Sequence, residues 1–189
     1  MVLADDPQAP TAVGGRVGLF YGSTTGVTEE IADQIADVWS ETGLDTLEAV
    51  NISYLDDISN LKEFDYLILG CPTWNVGELQ DDWELELPNL ENVDFSGKRV
   101  ALFGAGDQAH YSDNFQDALG ILGRKLRERG ATLVGFTSTE GYDYDESVGV
   151  ENDMFMGLAI DEVNQSDLTG ERIEAWVKQL VREFELTPA

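Results

Sequence analysis

Ser23-Thr24-Thr25-Gly26-Val27-Thr28 sets four hydroxyls and a run of backbone N–H groups where a helix should begin. A helix start carries partial positive charge and unpaired amides, so such a loop suits a phosphate. The same residue types also serve as plain helix caps. The loop lacks the lysine of a nucleoside triphosphate loop and the glycine pattern of a dinucleotide-binding turn. Two further stretches could grip a ring: Thr73-Trp74-Asn75-Val76-Gly77, and Gly104-Ala105-Gly106-Asp107-Gln108 with Tyr111 close behind. A planar aromatic ligand can stack between Trp74 and Tyr111 while its phosphate reaches the Ser/Thr loop, although each ring taken alone reads equally well as a rim or core aromatic. Asp107 can accept a hydrogen bond from a ring N–H, and Asn75 or Gly77 can present backbone groups in unusual geometry. Two aromatics beside a phosphate-like loop favour a flavin.

Each stretch follows an apolar run that reads as a strand, which would place all three on one edge of a parallel sheet. Val17-Gly18-Leu19-Phe20-Tyr21 is the first strand, and Ile31, Ile35, Val38 and Trp39 recur at helical spacing up to Gly43. A second strand is expected near Leu47 to Ile52, a third at Tyr66 to Gly70 and a fourth at Arg99 to Phe103. Phe115, Ala118, Leu119, Leu122 and Leu126 stripe the next helix, and Thr132 to Phe136 starts a fifth strand. The stretch from about 137 to 156, polar and rich in Gly and Asp, is too long for an ordinary connection and reads as an insertion. Phe155 to Ile160 then resumes a strand, and Ile173, Trp176, Val177, Leu180, Val181 and Phe184 mark a closing amphipathic helix. Strands alternating with helices imply right-handed crossovers and a parallel sheet covered on both faces.

The chain has 189 residues, which suits one domain running from residue 16 to 189, with residues 1–15 as a flexible N-terminal extension. Its 37 acidic and 11 basic residues leave a formal net charge of −26, which argues against nucleic acid and anionic membranes as partners. One cysteine, Cys71, and one histidine, His110, are too few for a zinc site or a disulfide framework, so a cytoplasmic location is expected. No stretch approaches about 18 uninterrupted apolar residues, and no membrane insertion is expected. Cys71 reads as a small buried residue, with no basic neighbour in sequence to activate it. His110 reads as a solvated loop residue without a partner.

The three loops, together with Asp113-Asn114-Phe115-Gln116-Asp117-Ala118-Leu119-Gly120, Ser138-Thr139-Glu140-Gly141-Tyr142 and Asn164-Gln165-Ser166-Asp167-Leu168-Thr169, resemble the flavodoxins of the long-chain type. The likeness runs from about residue 16 to 186. It implies a flavodoxin-like α/β fold with five parallel strands in the order 2-1-3-4-5 and a fifth strand interrupted by the insertion. It implies non-covalent FMN, with Ser23, Thr24, Thr25, Gly26, Val27 and Thr28 on the phosphate and Trp74 and Tyr111 on either side of the isoalloxazine. Thr73 and Gly106 belong to the two ring loops, and Asp107 and nearby backbone would hold the pyrimidine edge. In that family the peptide matching Asn75-Val76, next to Gly77, turns a carbonyl toward the proton on flavin nitrogen 5 in the half-reduced state. Asn114 and Gln116 match positions near the ring edge and ribityl chain. The chain departs from the pattern at Ala105, where a hydroxyl is frequent, at His110, and at Val163, where a third acid is frequent.

Eighteen acids and a single cation, Lys62, lie between Val17 and Gly97. A carboxylate about 12 Å from the ring, at an effective dielectric near 40, opposes an added electron by roughly 0.7 kcal/mol, or about 30 mV. Several such groups would make a low-potential carrier that steers basic partners and releases them quickly. The resemblance implies a monomer that turns over no substrate of its own. It implies redox partners such as a ferredoxin/flavodoxin–NADP reductase, photosystem I, or acceptors of the nitrogenase and radical-enzyme kind. An FMN-dependent NAD(P)H:quinone reductase on a related fold is the enzymatic alternative, and a cofactor-free scaffold domain is a third class. Only four lysines among so many acids also suit a salt-rich, halophilic setting, where ions screen self-repulsion.

Overall fold

A computed structural model describes residues 15–187. The chain runs β1 (Val17–Tyr21), α1 (Val27–Ser40), β2 (Ala49–Asn51), β3 (Tyr66–Gly70), β4 (Thr73–Trp74), β5 (Glu78–Leu79), α2 (Asp81–Glu86) and β6 (Arg99–Ala105). It continues through α3 (Asp117–Glu128), β7 (Thr132–Val134), β8 (Thr137–Ser138), β9 (Val150–Glu151), β10 (Met154–Phe155), β11 (Leu158–Ile160) and α4 (Thr169–Glu183). The expected extension lies outside the described residues except for Gly15, so only the segment after it can be compared with the sequence reading.

Side chains alternate across a strand, and here the alternation sorts the core into two layers. Phe20, Leu67, Leu69, Val100 and Leu102 face Trp83 of α2 and Ala118, Leu119, Leu122 and Leu126 of α3. Leu19, Tyr21, Ile68, Ala101 and Phe103 face Ile31, Ile35 and Trp39 of α1 and Ile173, Trp176 and Leu180 of α4. Three fully buried indoles find acceptors: Trp39 Nε1 donates to Asp45 O, Trp83 Nε1 to Gly70 O and Trp176 Nε1 to Gly135 O. The large rings thus bury area without stranding a donor.

The main sheet is parallel in the order β2-β1-β3-β6, and the last position is shared by two short strands. β7 pairs with the first half of β6 (Thr132 opposite Arg99) and β11 with the second half (Leu158 opposite Phe103). This is the interrupted fifth strand. Between the halves β8, β10 and β9 form a small antiparallel sheet over Phe115, Tyr142, Tyr144 and Phe155.

The structure corrects several boundaries. The expected strand from Phe155 to Ile160 is two strands, because Phe155 pairs with Thr137 in the insertion while Leu158 pairs with Phe103 in the main sheet. At Gly157, between them, an added Cβ would strike the Leu102 carbonyl. The second strand shrinks to Ala49–Asn51 and the fourth extends to Ala105. The Trp74 loop is the tip of the β4–β5 hairpin, and α2 forms in a stretch to which the sequence reading assigned no element.

Candidate functional site

Parallel pairing brings the C-terminal ends of four strands to one edge. Tyr21 lies opposite Gly70, Gly70 opposite Phe103, and Ala105 opposite Ile160. The ladder runs one step past the strands, with Gly22 N–H donating to Gly70 O, Cys71 N–H to Phe103 O and Gly106 N–H to Ile160 O, each at 3.0 Å. The three loops therefore leave neighbouring strands about 5 Å apart. Strand order reverses between β1 and β3, which is where open α/β sheets hold ligands.

The first loop does not cap its helix with a side chain. Gly26 occupies the N-cap of α1 at φ 91°, a backbone region that favours glycine. Ser23 Oγ accepts the Gly26 N–H at 3.1 Å, and no side chain caps the first turn. The N–H groups of Ser23, Thr24, Thr25, Val27 and Thr28 meet no acceptor among the described residues. A capping role requires a side-chain oxygen on the N2 or N3 amide, so the geometry rejects it. Thr24 and Thr25 are exposed and Thr28 is buried. The first turn of α1 carries Glu29 and Glu30, so an anion here would rely on amides, hydroxyls and the helix dipole.

The second loop is a hairpin tip. Trp74 pairs with Glu78, and Asn75, Val76 and Gly77 form the turn. Asn75 and Gly77 both have left-handed backbone, at φ 45° and 84°, and Asn75 Nδ2 donates to Glu78 Oε2 at 2.6 Å. Val76 is 76% exposed, and Trp74 is half-buried and packs on no other aromatic ring among the described residues. Beneath the tip, Thr73 Oγ1 accepts the Ala118 N–H at 3.1 Å, so its oxygen already serves the start of α3. Asn114 Nδ2 donates to Asp117 Oδ2 at 3.0 Å, and Gly77 sits directly over that pair.

A carboxylate network holds the third loop. Asp107 Oδ1 accepts N–H groups from Ala109 and His110 and the side-chain amide of Asn164. His110 Nδ1 lies 2.7 Å from Asp107 Oδ2, which corrects the reading of His110 as partnerless; its own ring stays exposed. Burial pushes the Asp107 carboxyl up, but the hydrogen bonds from Asn164 and His110 outweigh it and hold the group below the usual carboxylate range. Asp161, at the end of β11, is fully buried and accepts from Gln108 N, Gln108 Nε2, Val163 N, Asn164 N and Asn164 Nδ2. Gln108 Oε1 in turn accepts the Asp143 N–H, tying the loop to the insertion. Tyr111 stands 51% exposed at the outer end of this frame. Gln116 is fully buried at φ 62°; its Nε2 donates to Ile160 O, and its Oε1 lies against Gly104 without a donor.

The departures resolve simply. Ala105 is buried in the α1/α4 layer of the core. Val163 is exposed and contributes its N–H to Asp161. Cys71 is fully buried, which pushes its thiol up to about 12. Gln80 and Asp161 escaped the sequence reading, since no spacing rule links either to a loop more than fifty residues away.

Most of the basic residues gather at one end of the strands, where Glu63, Glu91, Glu128 and Glu185 pair with them, while Arg172 in the first turn of α4 lies at the loop end. Arg16 precedes β1, Lys62 precedes β3, Lys98 and Arg99 open β6, and Lys125, Arg127, Arg129 and Arg182 close α3 and α4. All of these lie at the edge opposite the loops. The loop edge carries Glu29, Glu30, Glu78, Asp81, Asp113 and Glu162. Among the described residues no group of three His, Cys, Asp or Glu side chains is placed to hold a metal ion, and no helix is long and apolar enough to cross a membrane.

A doubly wound parallel sheet with three ligand loops at its switch point, and a split outer strand, defines a narrow class of α/β proteins. The flavodoxin family model matches residues 19–176. The flavodoxin of Synechococcus elongatus is 54% identical over 90% of this chain and 99% of its own length, and that of a Nostoc species is 52% identical over 90% and 98%. The crystal structure of Fusobacterium nucleatum flavodoxin bound to flavin mononucleotide superposes with a TM-score of 0.84 at 36% identity, covering 90% of this chain and 99% of that one. The chain belongs to the flavodoxin family.

Proposed function

We propose that this chain is a low-potential electron carrier that holds FMN without a covalent bond and passes single electrons between protein partners. The observation that carries the reading is the uncapped start of α1, whose loop offers five unpaired N–H groups and three hydroxyls not used on its own backbone. A phosphate monoester has the acceptor oxygens to satisfy them. The fit extends to the ring loops, where the faces of Trp74 and Tyr111 pack on no other aromatic ring among the described residues. The solved relative from Fusobacterium nucleatum holds FMN, which supports the same cofactor here.

Bound FMN supplies a ring that takes up and returns electrons one at a time. In this reading Ser23 to Thr28 bind the phosphate, while Thr73, Trp74, Gly106 and Tyr111 line the ring. Asn75, tied to Glu78, and Gly77 hold the turn in which the Asn75–Val76 peptide can offer its carbonyl to a protonated ring nitrogen. The Asp107 side chain is occupied by Ala109, His110 and Asn164, and the Gly106 and Gln108 N–H groups by Ile160 O and Asp161, so the backbone donor left for the pyrimidine edge in this segment is the Asp107 N–H. Asn114 and Gln116 brace the two ring loops from below.

The acidic loop edge, with Val76 and Tyr111 exposed among the carboxylates, supports weak docking to basic redox proteins. Reductases of the ferredoxin/flavodoxin–NADP kind, photosystem I and nitrogenase-type acceptors fit that chemistry, with the carrier acting as a cytoplasmic monomer of one domain from residue 16 onward. The test is titration of the apoprotein with FMN followed by flavin fluorescence. Stoichiometric quenching supports the proposal; no uptake of FMN, or rapid hydride transfer from NADPH to the isolated protein, overturns it.

A further inference from the structure

Gln80 stands between the first loop and α2 and has no part in the expected site. It is 2% exposed, and its Oε1 is buried without any donor. Its Nε2 carries both of the amide's contacts, to Asp82 Oδ2 at 2.8 Å and, at a longer 3.4 Å, to Thr24 Oγ1 in the loop. A buried acceptor without a donor is destabilising. Turning the amide over would not relieve it, because that would set Oε1 against the Asp82 carboxylate. Asp82 therefore fixes the orientation that aims an N–H at Thr24.

A hydroxyl oxygen that accepts a hydrogen bond must send its own proton elsewhere. Gln80 lies behind the loop, where a Cβ on Gly22 would strike Oε1 and would come within 2.7 Å of Trp83 Cδ1. Trp83 is in turn pinned, its Nε1 donating to Gly70 O at 2.7 Å. The Thr24 proton is thus directed away from this wall and left free for an anion held by the loop's unpaired amides. We infer that Gln80 is a positioning residue for the phosphate end of the ligand, orienting the Thr24 hydroxyl as a donor to the anion and holding the Asp82 carboxylate off the loop. This rests on the proposal that the first loop binds the FMN phosphate.

The test compares dissociation constants of the apoprotein for FMN and for riboflavin, which has the ring and ribityl chain but no phosphate. The variants are Gln80→Ala, Gln80→Glu, Thr24→Ala and the Gln80→Ala/Thr24→Ala pair. Gln80→Ala should weaken FMN at least about tenfold and riboflavin less than about twofold, and Gln80→Glu should weaken FMN further by adding a charge. In the Thr24→Ala background, Gln80→Ala should shift the FMN-to-riboflavin ratio less than it does alone, because the two act through one bond. Riboflavin binding also reports whether each variant is folded. If the unmodified chain binds both ligands equally, the phosphate assignment itself fails. If it prefers FMN but Gln80→Ala weakens both ligands alike, or if the two substitutions are additive, the role of Gln80 is overturned.

Discussion

Replacing Asp161 by alanine removes a fully buried carboxylate that accepts five N–H groups from three residues. Val163 and Asn164 are exposed, so water can replace their lost bonds. Gln108 is 4% exposed, and both its backbone N–H and its side-chain amide would be stranded. Two hydrogen bonds to a charged acceptor are worth roughly 3 to 6 kcal/mol together. Removing the carboxylate also relieves its own desolvation, so the net loss should fall near 3 kcal/mol, at the low end for breaking one side of a buried charged contact. With a urea m-value of about 2 kcal/mol/M, the unfolding midpoint of the apoprotein should drop by about 1.5 M. Asp161→Asn keeps one acceptor and should lose about half as much. The same variants should weaken FMN, because Gln108 and Asn164 frame the segment that carries Asp107 and Tyr111. A midpoint change below about 0.5 M for Asp161→Ala, measured by far-UV circular dichroism, would refute the idea that this carboxylate organises the third loop.

Three further outcomes follow from the structure. Burial, with the nearby Glu29 charge, pushes the Tyr21 phenol up to about 12, and burial, with Asp161, does the same for Tyr142. Both ionise more readily when unfolded, so their contribution to stability is complete below about pH 10 and is lost as pH rises toward 12; absorbance at 295 nm should show these two phenols titrating late in the folded apoprotein, with Tyr144 also raised by burial, and no late phenols in urea. Cys71 should resist thiol reagents in the native protein and react at once on unfolding, as followed by chromogenic disulfide exchange. With a net charge of −26, the melting temperature should rise by more than about 5 °C between low salt and molar KCl, and equal melting in both would remove the halophilic reading.

The primary sequence determined whatever depends on near neighbours in the chain. Apolar runs such as Tyr66 to Gly70 and Arg99 to Phe103 marked strands, the spacing of Ile31, Ile35 and Trp39 marked a helix, and the loops after the strands held the site residues in order. Net charge was equally legible, being a sum that needs no geometry. Tertiary structure decided what depends on contact. Whether Ser23 to Thr28 merely cap a helix could not be told from their types, because the answer lies in which amides find a partner once α1 is built. Phe155 and Leu158 sit three residues apart yet join different sheets, since Thr137 captures one and Phe103 the other. Gln80 reaches Thr24, and Asp161 reaches Gln108, only because parallel strands carry chain segments more than fifty residues apart to a common edge. The gathering of most cations at the far edge, Arg172 excepted, has the same origin: strand starts and the ends of α3 and α4 lie together there, and a linear sum of charges contains no direction.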